Sequence, residues 1–388
     1  MNKGVLFITG AFYPEISGGG LQLYNLAQAL RRNFRIYVIT TTRDKALPFF
    51  QEINRIPIWR VYLKPGRLFS YLKAGLIMTY LFLKIRARIN IIQLNGFSKK
   101  NIVLVLLAKL TRVKIVQRIT SFGMDDPVSM KAASSMIDYY FYKISDFFVS
   151  ISPAITESFY RSGINEKQLK EIPNGVDTER FSPLSVAEKL NLRQELSLPL
   201  DDFIVLSVGF FSRDKSPDDI YRAWAELMRD SSCKSTLIFI GSTDTGYSEI
   251  DAGLVLAIKD NLMKSGLNQK VWFVEKTLSI EKYYQAADVF VTASRREGMP
   301  NALLEAMASG LPVLSSRLPG IIDFVINDGK NGLLFNPGKV DEISNHLNRI
   351  KQESDLRVSL GSFAREKMIN KFSLNQAANA FGQLYKTL

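Results

Sequence analysis

Short apolar runs rich in Val and Ile alternate along the chain with longer stretches in which apolar residues recur at helical spacing. The runs cover residues 5–9, 36–40, 91–94, 114–119 and 147–151 in the first half, and 203–208, 236–240, 271–274, 289–292 and 312–315 in the second. Strands apolar on both faces and separated by helices predict parallel sheets covered on both sides. Two such series predict two facing, Rossmann-like, doubly wound α/β domains. Ser182-Pro183 and Leu198-Pro199-Leu200-Asp201-Asp202 punctuate a polar helical stretch and mark the join between 178 and 200. The expected division is an N-terminal domain over 1–185, a C-terminal domain over 186–370, and a last helix over 371–388 that packs back on the first domain. Ligands of open α/β sheets sit beyond the carboxyl ends of the strands, so function is expected just after each run.

Composition agrees with two cores: the chain has 388 residues, of which 46% are hydrophobic. A single cysteine, Cys233, excludes an internal disulfide framework and fits a reducing compartment. With His346 as the lone histidine, a metal centre built on His and Cys is not expected. The N-terminal run enters a turn at Pro14-Glu15, which reads as a buried strand rather than a signal peptide. The apolar run 74–83 is closed by Lys73 and Lys84, about half of the roughly 20 residues that a membrane span needs. A cytoplasmic protein is the expectation.

Net charge changes the picture once it is split by position. Residues 1–180 hold 26 Lys/Arg against 12 Asp/Glu, residues 181–388 hold 24 against 25, and between 53 and 124 there are 14 basic residues and no acidic one. That stretch interleaves with Leu68, Phe69, Leu72, Leu76 and Tyr80, the pattern of a basic amphipathic helix resting on anionic lipid. A solvated face over a core helix is the alternative. No nucleic-acid-binding signature is present, so nucleic acid is not an expected partner.

The candidate chemistry gathers after the run 289–292. Glu305 stands among Leu304, Ala306, Met307 and Ala308, where a carboxylate needs strong partners to offset its desolvation. A pair of ribose hydroxyls would supply them; a half-exposed helix glutamate is the other reading. Glu297 precedes the turn Gly298-Met299-Pro300-Asn301, whose open backbone N–H groups and helix dipole suit an anion. After the run 203–208, Arg213 and Lys215 project where a donor phosphate would lie, unless they are only turn charges. Gly18-Gly19-Gly20 precedes the helical run 21–31 and lets backbone N–H groups approach an anion at the helix start, or is a plain turn.

Two glutamates with seven residues between them, Glu297 to Glu305, followed by Ala306-Met307-Ala308-Ser309-Gly310-Leu311-Pro312-Val313, resemble the signature of the retaining glycosyltransferases of family 4. The resemblance extends to Asn174-Gly175-Val176-Asp177, Phe181, Ser152-Pro153, Val208-Gly209, Lys215 and Asn331-Gly332-Leu333-Leu334, nearly the whole chain. It implies the GT-B fold, with Glu305 holding the donor ribose, Glu297 at the transferred sugar and Lys215 neutralising the diphosphate. Gly298, Met299, Pro300 and Asn301 would line the donor, with Gly19 and Gly20 near its phosphate and the acceptor. The donor would be a UDP- or GDP-sugar and no cofactor is implied. The acceptor would be a saccharide, lipid-linked in surface-polysaccharide or lipopolysaccharide assembly on the inner face of the membrane.

This chain departs from the family pattern in two places. Phe210 stands where an arginine usually follows the glycine, and Arg213 is its expected replacement. Asn95 and Phe122 stand where a first-domain histidine is common. Asn95, Asp125 and Asp126 are therefore the acceptor-side candidates, the two carboxylates for acid–base work, with a turn or helix cap before Pro127 as the alternative. No Asp-x-Asp triplet exists in the chain, so a metal-free mechanism is expected, with Lys215, Arg213 and the helix start before Ala302 in the place of a divalent cation. A sugar-nucleotide epimerase of the same fold and a non-catalytic, membrane-docking sugar-nucleotide binder are the rival readings.

Overall fold

The structure, a computed structural model, describes residues 3–15, 17–64, 68–243, 250–275 and 277–388. Arg67 and the Leu68 side chain of the basic stretch lie outside the described residues. The chain divides into two compact units, Met1–Gly175 with Leu374–Leu388, and Val176–Ser373.

In the first unit the strands are β1 (Gly4–Thr9), β2 (Arg35–Thr42), β3 (Phe50–Ile53), β4 (Ile56–Tyr62), β5 (Ile91–Asn95), β6 (Lys114–Arg118), β7 (Phe147–Ser150) and β8 (Leu169–Glu171). They form one sheet in the order β3-β4-β2-β1-β5-β6-β7-β8, parallel except for β3. The helices are α1 (Gly18–Leu30), α2 (Leu68–Ile85), α3 (Ile102–Leu110), α4 (Pro127–Ala133), α5 (Met136–Lys143) and α6 (Pro153–Arg161). Burial on both sides of β1 explains its unbroken apolar run: Val5 and Phe7 join the core under α1, while Leu6 and Ile8 join the core under α2 and α3.

The second unit carries β9 (Phe203–Val208), β10 (Ser235–Ile240), β11 (Val271–Val274), β12 (Val289–Thr292), β13 (Val313–Ser316) and β14 (Leu333–Phe335) in an all-parallel sheet ordered β11-β10-β9-β12-β13-β14. Its helices are α7 (Val186–Glu195), α8 (Pro217–Leu227), α9 (Ala252–Ser265), α10 (Ile280–Ala286), α11 (Asn301–Ala308), α12 (Ile322–Val325), α13 (Val340–Gln352) and α14 (Ser354–Lys371).

The chain leaves the first unit earlier than the expected boundary at 185. Val176 forms a parallel bridge with Ser373 and donates its N–H to Phe372 O at 2.8 Å. Phe181 packs edge-on against Tyr284, and Arg180 holds Glu281 through Nε and Nη2 at 3.0 and 2.7 Å. Residues 176–185 therefore belong to the second unit. The last helix, α15 (Leu374–Thr387), belongs to the first. It buries Phe381, Leu384 and Tyr385 in the same core as α1, with Phe34 edge-on to Tyr385.

The basic stretch proves to be only partly a surface. Arg60 is 1% exposed, its guanidinium donating to Tyr13 O at 2.8 Å and Gln51 Oε1 at 3.0 Å. Arg118 is also buried, bonded to Asn174 Oδ1 at 2.6 Å, and Arg86 donates to the carbonyls of Ile89 and Thr111. These cations serve the fold. By contrast α2 is apolar on two faces: Ala74, Met78, Leu81 and Phe82 are buried, whereas Phe69, Leu72, Leu76, Tyr80 and Leu83 are exposed. Val103, Leu106 and Leu110 of α3 and Met136, Ile137 and Tyr140 of α5 are exposed as well. Among the described residues no helix is long and apolar enough to cross a membrane.

Candidate functional site

Central strands β9 and β12 pair in the second unit, so the loops that follow them meet. Hydrogen bonds tie loop 209–216 to loop 293–300. Arg295 N donates to Asp214 O at 2.7 Å, Arg295 Nε to Ser216 Oγ at 3.0 Å, and Arg296 Nη2 to Asp214 Oδ2 at 2.6 Å. The third loop presses in closely, because a Cβ on Gly241 would stand 2.0 Å from Gly209 O. Ser216 adopts a left-handed conformation, φ 46°, at the start of α8. That costs a non-glycine residue about 1 kcal/mol, which the hydrogen bond from Arg295 helps to offset. In this frame Lys215 Nζ pairs with the Glu297 carboxylate, the two side chains 33% and 10% exposed.

Gly298, Met299 and Pro300 are buried and turn the chain into α11. Pro300 at the N-cap makes no side-chain cap bond, so the positive end of the helix dipole lacks the usual Ser or Asp acceptor. One turn along, Tyr284 Oη donates to Glu305 Oε2 at 2.9 Å. Burial pushes the Glu305 carboxyl up to about 7, with the Tyr284 hydrogen bond pulling the other way. Among the described residues Tyr284 is its single donor, which leaves Oε1 to accept from a ligand. A cation, a helix start with proline in place of a capping Ser or Asp, and a carboxylate with one oxygen left to accept form a sequence suited to a diphosphate followed by a ribose.

Arg213 does not join this group. Its Nε holds Asp251 Oδ2 at 2.7 Å and its side chain is 87% exposed. It lines a separate recess of about 400 Å³ with Asp214, Ser216, Asp218, Gly253 and Arg295. The expected replacement for the cation absent at Phe210 is thus turned toward the start of α9. The sequence offered no sign of this, since Arg213 and Lys215 are two residues apart and look equivalent.

The chain matches the family described as Glycosyltransferase Family 4 over residues 16–180 and that described as Glycosyl transferases group 1 over residues 188–367. It belongs to the family 4 glycosyltransferases. D-inositol 3-phosphate glycosyltransferase of Corynebacterium jeikeium is 29% identical over 57% of this chain, and the match spans about half of that relative, 52%. The alpha-monoglucosyldiacylglycerol synthase of Acholeplasma laidlawii is 26% identical over 93% of this chain and 90% of that protein. Among solved structures, Anabaena HepE in complex with UDP and glucose has a TM-score of 0.79 at 19% identity, covering 100% of both chains. That likeness shows the GT-B fold.

In this family 4 chain the acceptor-side candidates are bound more tightly than the sequence suggested. Asp125 is buried and accepts from Thr120 N, Thr120 Oγ1 and Ser121 N at 3.0, 2.9 and 2.7 Å. Burial raises its carboxyl to about 6. Asp126 caps α4, accepting from Ser129 N at 3.2 Å, Gly123 N at 2.7 Å and the Ser158 hydroxyl. These bonds favour the turn-and-cap reading over the acid–base one, because the lone pairs that would take a proton are occupied. Gly20 N–H goes to Ser17 Oγ at 3.0 Å, and a Cβ there would meet Ala11 O at 2.9 Å, whereas Gly19 faces open space. Gly20 is thus a packing glycine.

Asn95 ends a chain of bonds that the sequence could not disclose. Tyr385 of α15 donates to Gln93 Oε1, Gln93 Nε2 to Asn95 Oδ1 at 3.0 Å, and Asn95 Nδ2 to Ile8 O at 3.4 Å. The residues joined lie at 8, 93, 95 and 385, too far apart in sequence for any motif to contain them.

Proposed function

We propose that the protein is a retaining hexosyltransferase that takes a UDP- or GDP-sugar on its second unit and delivers the sugar to a saccharide acceptor carried by a lipid at an anionic membrane surface. The observation that carries the donor half is the Lys215–Glu297 pair beside the proline-led start of α11, with the Glu305 carboxylate one turn further. Lys215 and the helix start stabilise the departing diphosphate without a metal ion. The bond from the anomeric carbon to the diphosphate oxygen breaks, and a bond to the acceptor oxygen forms on the same face. The acceptor proton passes to an oxygen of the leaving phosphate.

The lipid half rests on the exposed apolar faces of α2 and α3 among outward Lys73, Lys84, Arg88 and Lys99. Each cation near an anionic surface contributes about 1 kcal/mol, and the apolar side chains add a part that salt does not screen. The relatives point the same way, since one of them is named for a lipid product.

Incubation of UDP- and GDP-sugars with a membrane extract from the source organism tests the reading, the product analysed by mass spectrometry and anomeric NMR. The expected result is free nucleoside diphosphate and an extracted lipid heavier by one hexose, with the donor's anomeric configuration kept and no effect of chelator. Free sugar without glycosylated lipid, an inverted anomer, or activity that needs added magnesium overturns the corresponding part.

A further inference from the structure

We propose that Lys100 and Arg43 form an anion site on the first unit that recognises a phosphate or diphosphate group of the acceptor. In the sheet order, β1 lies between β2 and β5, and the chain passes from β1 to β2 on one side and later to β5 on the other. That is a topological switch point, the place beyond the strand ends where open α/β sheets bind ligands. Lys100 follows β5 and spans it: Nζ donates to Thr41 Oγ1 of β2 at 3.1 Å, and Thr41 Oγ1 donates to Gly10 O, just past β1, at 2.9 Å.

Among the described residues Lys100 differs from its neighbours in having no carboxylate partner. Lys109 and Lys114 share Asp146 at 3.0 and 3.7 Å, and Lys99 reaches Asp138 at 3.6 Å. Lys100 is more withdrawn from solvent than Lys99, yet among the described residues its partner is one hydroxyl. Its other charged neighbour repels it: burial first, then Arg43, draws the ammonium down to about 8. A partly buried cation beside a second cation is unfavourable unless an anion completes the group. Arg43, two residues past the Thr41 that holds Lys100, offers a phosphate a second cation at the end of β2.

That this phosphate belongs to the acceptor rests on the transferase reading; the anion site itself does not. Calorimetric titration of inorganic pyrophosphate into the full chain, with UDP or GDP saturating the donor site, tests it. Pyrophosphate is expected to bind the parent, to bind Lys100→Met at least tenfold more weakly, and to recover with Lys100→Arg; Arg43→Gln is expected to weaken it several-fold. Lys100→Met should keep its nucleoside-diphosphate affinity and its melting temperature, which shows that it folds. Equal pyrophosphate affinity in parent and Lys100→Met, or none in a parent that binds nucleoside diphosphate, overturns the site. If neither nucleoside diphosphate binds but Lys100-dependent pyrophosphate binding remains, the transferase reading fails and the site stands. Glucose 1-phosphate in solution and farnesyl diphosphate in neutral phosphatidylcholine vesicles separate the sources. Lys100 dependence with either supports the site and names the source, and dependence with neither overturns the acceptor role.

Discussion

The two units treat their charges differently. In the second, basic and acidic residues balance in number, and around the strand ends cations meet carboxylates: Lys189 and Arg193 share Asp288, Lys215 meets Glu297, and Arg213 meets Asp251. In the first, the basic surplus is divided between cations locked in the interior, such as Arg60 and Arg118, and cations that look outward or, like Lys100, wait without a carboxylate. On the function proposed above, the balanced unit would take the donor, a ligand of one fixed chemistry, and the unit with surplus charge and exposed apolar helix faces would take the acceptor.

The largest expected effect tests whether the units are independent folding bodies. Phe381→Ala removes a fully buried ring from the first-unit core and should cost about 3–5 kcal/mol. Calorimetry is expected to show the first unit's transition lowered and the second unit's unchanged; a single shifted transition would mean that the units melt together. Next, Glu297→Gln should lower turnover at least about a hundredfold, near 2.7 kcal/mol, while nucleoside-diphosphate affinity stays within about threefold. Equal loss of both would move Glu297 from the sugar to the diphosphate.

Glu305→Ala should weaken nucleoside-diphosphate binding about tenfold, 1.4 kcal/mol, through loss of bonds to a carboxylate. Its pH dependence carries a sign. Ribose hydroxyls donate best to the ionised form, so affinity should fall as pH drops through about 7, the value to which burial raises this group, and Glu305→Gln should flatten the profile. The same shift opposes folding, because a raised carboxyl favours the folded state below the unfolded value and loses that advantage as pH rises through about 7. Glu305→Gln is therefore expected to be the more stable protein at pH 8, by on the order of 2 kcal/mol. The smallest effect is expected at Arg213→Ala. Donor affinity should change less than about twofold, since the guanidinium is bound at Asp251 and screened by solvent. A tenfold loss there would return Arg213 to the diphosphate and break the matched-charge account of the second unit.

Where the sequence and the structure part, the reasons are local. Each of the ten apolar runs lies within or across one of the strands, because a strand buried on both faces has to be apolar throughout. Four strands had no counterpart among the runs: the short edge strands β3, β8 and β14, and β4, where Pro57 and Arg60 interrupt the apolar residues; β3 and β4 join through Asn54 and Arg55 at φ 50° and 63° rather than through glycine. The placement of Glu305 among apolar neighbours was legible, since helical spacing alone puts it there. Tyr284, its donor, was not, because it comes from another helix. Asp125 and Asp126 read equally well as acid–base groups or as turn and cap residues, and only the fold of 120–129 shows them taken up in turn and cap bonds.

Hydrophobic periodicity by itself determined two doubly wound units, and the segment from Glu297 to Val313, with the shorter motifs along the chain, carried the resemblance to the family, because all of these are properties of residues near each other in the chain. Only the tertiary structure decided that Lys215 meets Glu297 while Arg213 turns to Asp251, that residues 374–387 complete the first unit, and that Lys100 spans from β5 to β2. Each of those facts is a contact between segments distant in sequence. A side chain's partner, and with it its charge state, is set by what packs beside it and how much water that packing removes.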